Sequence, residues 1–313
     1  MTKTRMLLYL ENSFATFSLS ESNLADLARS FPQLEIELVK SEGEFAAGIS
    51  DAEIAASWSF PVELYAKATR LVALYTPSAG REHVALDPRG KVKVHFGSFH
   101  GELIAETLLG LVLYFNRQLA HVLANQREGI WEREYLARSP RLGSQHLLII
   151  GFGNVGRACA RLFRGFGCRI TGVRRSPRDE RLDRDADAVL PFSSLSAVLS
   201  EADHVVAILP SDTGTDRIIT REHFRAMKRS AYFYNLGRGN CYAEEELVAA
   251  LRTGLIAGAG LDVFAQEPLP RSSDLWKLPN VVLLPHASPL YPDYMDLFVR
   301  EMKEDLRLLL SAR

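Results

Sequence analysis

The chain reads as an α/β protein built on parallel sheets in two domains. Three observations carry that reading. Short apolar runs alternate with stretches of helical period from one end to the other, the pattern of strand–helix–strand units. A length of 313 residues with 47% apolar content suits about two cores. One run, Leu147-Leu148-Ile149-Ile150-Gly151-Phe152-Gly153-Asn154-Val155-Gly156, sets three glycines between four aliphatic residues and a helical pattern over Arg157 to Phe166.

In the N-terminal part the strands fall at Met6–Leu10, Leu34–Val39, Ile54–Trp58, Leu71–Tyr75 and Lys91–His95, with helices such as Leu24–Phe31 and Pro61–Ala68 between them. Near residue 98 the pattern changes. Glu102–His121 is one long stretch in which Ile104, Leu108, Leu111, Val112 and Phe115 recur near 3.6 spacing, so it predicts a connecting helix. The second sheet starts at Leu147 and continues through Arg169–Val173, His204–Ala207, Tyr232–Asn235, Gly258–Leu261 and Val281–Leu284. Helices over Arg221–Met227 and Glu244–Arg252 fill two of the intervals. Asp293–Leu310 is an amphipathic helix placed back against the first domain. The expected division is residues 1–98 with 290–313, and residues 99–289.

Bulk properties exclude several classes. The net charge of −1 offers no basic field for nucleic acid. No apolar run approaches the roughly 20 residues that span a bilayer. The opening run Met6 to Leu10 is cut by Glu11 and reads as a strand rather than a signal segment. Cys159, Cys168 and Cys241 are sparse and odd in number, without metal-ligand spacing, so no metal is expected and a reduced, cytoplasmic setting is.

The glycine run has the dinucleotide-binding order, strand then G-x-G-x-x-G then helix, and each glycine has a mechanical reason. Gly151 permits the tight turn out of the strand. Gly153 lets backbone approach a pyrophosphate, with Asn154 and Val155 following it. Gly156 lets the helix pack close to the strand. The pyrophosphate would meet unpaired N–H groups at the positive end of a helix dipole. A Rossmann-type domain with a nicotinamide or flavin cofactor follows.

Four further segments sit at strand C-termini, where ligands bind in open α/β sheets. They are Ile208-Leu209-Pro210-Ser211-Asp212-Thr213-Gly214-Thr215, Asn235-Leu236-Gly237-Arg238-Gly239, Leu261 to Pro270, and Leu284-Pro285-His286-Ala287. With these motifs in this order, the chain resembles the D-isomer-specific 2-hydroxyacid dehydrogenases, which reduce 2-keto acids with NADH or NADPH. The resemblance implies a doubly wound cofactor domain plus a smaller flavodoxin-like substrate domain.

It also implies roles. Arg238 would hold the substrate carboxylate, since a guanidinium fork suits a planar carboxylate better than lysine does. His286 would give a proton to the keto oxygen, and take it back in the reverse direction. Glu267 would hydrogen-bond the other imidazole nitrogen and fix the ring. Asp262 would sit near the nicotinamide carboxamide. Leu209, Pro210, Thr215, Leu236 and Gly237 would line the cofactor. In the first domain, Tyr75-Thr76-Pro77-Ser78-Ala79-Gly80 matches the family's small-residue loop, and the N–H groups of Ala79 and Gly80 would bind carboxylate oxygens. Trp58, Tyr75 and Phe99 are candidates for shaping the substrate pocket. Two departures stand out: Arg81-Glu82 after that loop, and Ser288-Pro289-Leu290-Tyr291-Pro292 after the histidine.

An NAD-selective site places an acid about 20 residues past the glycines, at the ribose 2′-hydroxyl. Here Arg174, Arg175 and Ser176 occupy that place, and no acid occurs before Asp179. Arginine attracts a 2′-phosphate, so NADP(H) is favoured and NAD(H) remains open. Two functions are carried forward: an NADPH-using reductase of glyoxylate or hydroxypyruvate, and a dinucleotide-sensing scaffold or corepressor-like protein of the same fold. The resemblance implies a homodimer formed through Glu102–His121 and Asn125–Leu136, with Trp131.

Overall fold

The computed structural model describes residues 3–175 and 183–311. Ser176, one of the residues expected at the cofactor, lies outside the described residues. The chain divides into two units, Met1–His100 with Leu290–Arg313, and Gly101–Pro289.

The first unit holds β1 (Thr4–Tyr9), α1 (Glu21–Ser30), β2 (Leu34–Leu38), α2 (Glu42–Gly48), β3 (Ile54–Ser57), α3 (Leu64–Lys67), β4 (Ala73–Thr76) and β5 (Lys93–Phe96). Its parallel sheet has the order β2-β1-β3-β4-β5, the flavodoxin-like arrangement. The fully buried strands β3 and β4 are near-continuous small and apolar residues, as a sheet covered on both faces requires. Helix α1 begins at a cap the apolar pattern does not reveal: Ser20 accepts from the Asn23 N–H, and Asn23 returns the bond to the Ser20 N–H.

The second unit follows with α4 (His100–Asn116, starting one residue before the division), α5 (Leu119–Glu128), α6 (Glu134–Ala137), β6 (His146–Ile150), α7 (Asn154–Gly165), β7 (Arg169–Arg174), β8 (Ala188–Pro191), α8 (Leu195–Leu199), β9 (His204–Ala207), α9 (Arg221–Ala226), β10 (Tyr232–Asn235), α10 (Glu244–Arg252), β11 (Gly258–Leu261) and β12 (Val281–Leu283). The parallel sheet runs β12-β11-β10-β9-β6-β7-β8. From β6 the chain winds outward in both directions, so the switch of strand order lies between β6 and β9. That is the crevice in which a doubly wound sheet binds ligands. The strand ends are level there, Ile150 pairing with both Val173 and Ala207. Leu148, Ile150, Val205, Ala207 and Phe233 pack one face, and Leu147, Ile149, Phe163, Ile170 and Val206 the other. The last helix, α11 (Tyr294–Ser311), belongs to the first unit, where Lys303 reaches Asp26 of α1 at 2.6 Å.

Two elements differ from expectation. The helix predicted over Glu102–His121 breaks into α4 and α5 at Gln118, whose φ of 50° is left-handed. The Gln118 amide bonds Tyr135 O and Ser139 Oγ, contacts that a 3.6-residue pattern cannot report. Strand β8 was not anticipated. It has four residues, ends on a proline and follows the polar run Asp183–Asp187. Its pairing with β7 is a tertiary effect that its own pattern does not announce.

Candidate active site

The site of the second unit is a row of backbone loops at neighbouring strand ends, held in contact by residues with no side chain. A Cβ on Gly151, after β6, would lie 2.1 Å from Ile208 O after β9. One on Gly237, after β10, would lie 2.5 Å from Leu209 N. One on Gly239 would lie 1.9 Å from the Phe264 carbonyl carbon after β11. Four successive loops therefore touch main chain to main chain. The expected residues Gly151, Leu209, Pro210, Leu236, Gly237 and Arg238 fall on this row.

The glycine loop itself is shaped as anticipated. Gly151 has φ +101°, which an L side chain rarely adopts. A Cβ on Gly156 would strike Gly151 O at 2.5 Å, so the helix can lie this close only with glycine there. Gly153 is the N-cap of α7, which begins at Asn154 and Val155. No side chain caps that end, and a Cβ on Gly153 would enter open space. An uncapped helix N-terminus facing an open cradle fits a pyrophosphate. Two residues that the glycine spacing assigns no role, one inside the motif and one just after it, fix this loop. Phe152 is buried, its ring filling the place a Gly172 side chain would take. Arg157 lies 5.1 Å over that ring and pairs with Asp183 at 2.6 Å.

The basic pair stands at the end of β7, Arg174 its last residue and Arg175 the first beyond it. Arg174 is half-buried and pairs in register with Pro191. Arg175 is exposed and forms an ion pair with Asp212 at 3.2 Å. Asp212 is held in its own turn: the Gly214 N–H donates to it at 2.7 Å. Thr215, read as a cofactor contact, is buried. It closes that turn by donating to Pro210 O at 2.6 Å and accepting from the Asp212 N–H.

His286 Nδ1 and Glu267 Oε2 lie 2.7 Å apart, both partly exposed. The other Glu267 oxygen accepts the Phe264 N–H at 2.9 Å, which fixes the carboxylate to the backbone against which Gly239 packs. Arg238, half-buried, precedes Gly239, so the guanidinium loop and the glutamate loop share a contact. Buried Asn235 braces that loop, donating to Arg238 O at 3.0 Å and accepting from the Gly237 N–H at 3.1 Å.

Asp262 is fully buried, and its two oxygens accept the N–H groups of Ala287 at 2.7 Å and Ser288 at 3.1 Å. Its carbonyl accepts the His286 N–H at 2.8 Å. Asp262 thereby clamps the loop that carries the histidine. The clamp holds His286 at φ 53°, a left-handed conformation that costs a β-carbon-bearing residue about 1–2 kcal/mol. Thr107 Oγ1, donating to Ser288 O at 2.9 Å, adds a third tether.

In the first unit, the loop after β4 departs in one respect. The Gly80 N–H, expected to bind a carboxylate, donates to Ser78 Oγ at 3.2 Å, because Ser78 folds back in a serine turn. Ala79 is exposed at the tip. Tyr75 is buried in the core, stacked on His95, so it shapes no pocket. Trp58 and Phe99 lie around Tyr294 with Phe17, Trp58 stacked on Tyr294 at 6.1 Å.

Among the described residues no helix is long and apolar enough to cross a membrane, and no cluster of His, Cys, Asp and Glu could hold a metal ion.

Comparison with known proteins agrees with this geometry. Residues 109–288, more than half of the chain, match the family described as D-isomer specific 2-hydroxyacid dehydrogenase, NAD binding domain. A glyoxylate/hydroxypyruvate reductase B of Erwinia tasmaniensis is 38% identical over 206 residues, covering 64% of this chain and 63% of that protein. Another, of Klebsiella pneumoniae, is 33% identical over 282 residues, covering 86% of this chain and 85% of its own. The crystal structure of an NADPH-dependent glyoxylate/hydroxypyruvate reductase of Sinorhizobium meliloti, with NADP and sulfate, superposes with a TM-score of 0.79 at 25% identity. That match covers 99% of this chain and 96% of that one.

Proposed function

The chain belongs to the D-isomer specific 2-hydroxyacid dehydrogenase family, and on that premise we propose that it reduces a small 2-keto acid of the glyoxylate or hydroxypyruvate type to the D-2-hydroxy acid with NADPH. The observation that carries the reading is the His286–Glu267 pair at 2.7 Å, standing beside the Arg238 loop at the strand ends of a dinucleotide fold.

Bound NADPH supplies the hydride that arrives at the 2-carbon. The chain does the rest. Arg238 binds the substrate carboxylate with its fork and draws charge from the 2-oxo group. His286 has Nδ1 committed to Glu267, which leaves Nε2 to deliver a proton to the keto oxygen. Glu267 holds the ring through Nδ1 and is itself oriented by the Phe264 N–H. Asp262 sets the ring's position through the loop rather than by contact. Within the first unit taken by itself, the N–H groups of Ala79 and Gly80 would accept a carboxylate as partner, the Gly80 N–H giving up its Ser78 acceptor to do so.

Gly151, Gly153, Asn154, Val155 and Gly156 would hold the pyrophosphate, with Leu209, Pro210, Leu236 and Gly237 beside it and Thr215 shaping the loop. Arg174 and Arg175 would take the 2′-phosphate. The second unit is accordingly the dinucleotide-binding domain, and the first, with α11, the substrate domain. The three buried free thiols suit a reducing, cytoplasmic setting. A homodimer is supported by Trp131, 89% exposed, with Ile130, Leu123 and Leu119 also exposed nearby in the chain. A monomer at micromolar concentration in light scattering would overturn that part.

The test is steady-state oxidation of NADPH and NADH against glyoxylate, hydroxypyruvate, pyruvate and phenylpyruvate. Turnover of one of the first two, with kcat/KM higher for NADPH, is the expected result. Higher kcat/KM with NADH would reject the cofactor preference. No ketoacid-dependent oxidation would reject the reductase and favour the dinucleotide-sensing alternative.

A further inference from the structure

Arg175 and Asp212 do not belong to neighbouring strands. Arg175 follows β7, Asp212 lies in the loop after β9, and β6 stands between those strands in the sheet. The 3.2 Å ion pair therefore joins loops from either side of β6, whose strands are two spacings of about 4.8 Å apart. Asp212 is not a casual surface partner. The Gly214 N–H donates to its Oδ1 at 2.7 Å, Thr215 Oγ1 accepts its N–H at 3.0 Å, and that hydroxyl is anchored on Pro210 O. Glycine at 214 leaves room for the guanidinium: a Cβ there would lie 2.9 Å from an Arg175 nitrogen. Arg157, on α7, is paired with Asp183 and Asp185.

We propose that Asp212 is a specificity-determining residue that stands in for the 2′-phosphate in the cofactor-free protein. It holds Arg175 across the adenosine end of the site, and a 2′-phosphate must displace it to reach the guanidinium. A 2′-hydroxyl makes no such demand and leaves the pair intact. The effect of Asp212 is thus to reduce preference for NADP(H) over NAD(H), against the pull of Arg174 and Arg175. This rests on reading those arginines as the 2′-phosphate site. Because Arg175 and Asp212 are both exposed, at 74% and 43%, the exchange is inexpensive and salt-sensitive. The expected gain on removing the carboxylate is therefore modest, roughly three- to tenfold.

The experiment is calorimetric binding of 2′,5′-ADP and of ADP, at low and high salt, to the wild type, Asp212→Asn, Arg175→Gln and the double variant. Asparagine keeps an oxygen for the Gly214 N–H, so the turn survives, and unchanged ADP binding checks that it has. Asp212→Asn should tighten 2′,5′-ADP by roughly three- to tenfold at low salt and less at high salt, with ADP unmoved. In the Arg175→Gln background the gain should fall below twofold. A 2′,5′-ADP affinity unchanged by Asp212→Asn, or a gain that persists without Arg175, overturns the proposal. The cofactor preference is decided separately, by wild-type kcat/KM with NADPH and NADH. An enzyme can fail that test and still show the Asp212 effect, or pass it and show none.

Discussion

Replacing Asp262 by asparagine removes the charge and one acceptor from a fully buried clamp while leaving its shape. The asparagine oxygen can still accept the Ala287 N–H, now 2.7 Å from Oδ1. The amide nitrogen must then face the Ser288 N–H, now 3.1 Å from Oδ2, so two donors oppose each other. Ser288 is 2% exposed, and water cannot take the lost acceptor's place. A hydrogen bond to a charged group is worth about 1.5–3 kcal/mol, and a stranded buried donor adds to that loss, so a destabilisation of about 2–4 kcal/mol follows. The same loop holds His286 in a left-handed conformation through the Asp262 carbonyl. A displacement of the ring by about 1 Å is enough to cost on the order of 100-fold in rate. Urea unfolding, steady-state kcat and NADPH affinity by fluorescence separate these effects. The expected pattern is lower stability and kcat with cofactor affinity changed less than about threefold. Stability within about 0.5 kcal/mol of wild type, or a loss confined to cofactor affinity, would refute the clamp and restore a direct nicotinamide contact.

Other outcomes follow from the same geometry. Gly151→Ala places a Cβ 2.1 Å from Ile208 O at φ +101° and should cost about 3 kcal/mol or more in stability, with dinucleotide affinity reduced at least about tenfold by titration. Glu267→Gln keeps the acceptor for the Phe264 N–H but removes the charge beside His286, so kcat should fall about 10- to 100-fold with NADPH affinity unchanged. Burial pushes the His204 imidazole down from 6.5 to about 4, against a smaller opposing effect of Asp203. The unfolded chain takes up that proton below pH 6.5 while the folded one does not until about pH 4. Stability should therefore be lost as pH falls through that window, by about 3 kcal/mol in all. Urea midpoints from pH 7 to 4 should show this slope in the wild type and a flatter one in His204→Gln.

Much of the fold was legible because strand and helix periods differ and glycines punctuate them. The strands at His204–Ala207, Tyr232–Asn235 and Gly258–Leu261 have the bounds their apolar runs imply. What escaped was set by partners distant in sequence. The break at Gln118 depends on Tyr135 and Ser139, and β8 depends on β7. In the site, the fingerprint glycines and the His286–Glu267 pair were readable because spacing and residue type carry them. The backbone bonds of Asp262 were not legible, since a buried aspartate after a strand looks the same in sequence whether it meets a ligand or a backbone turn. The contact of Gly239 with Phe264 was readable only in part: the glycine after Arg238 signals a close approach without naming what approaches. The bond of Gly80 to Ser78 is local, and the serine two residues before it was a signal that the N–H was already in use.

In the proposed reaction His286 transfers the proton that accompanies reduction of a 2-keto acid. That transfer is tested most directly by ketoacid-dependent NADPH oxidation in His286→Asn beside the wild type, with NADPH affinity measured on both. The expected result is a loss of at least about 100-fold in kcat with affinity held within about threefold. Wild-type turnover in the variant would contradict it.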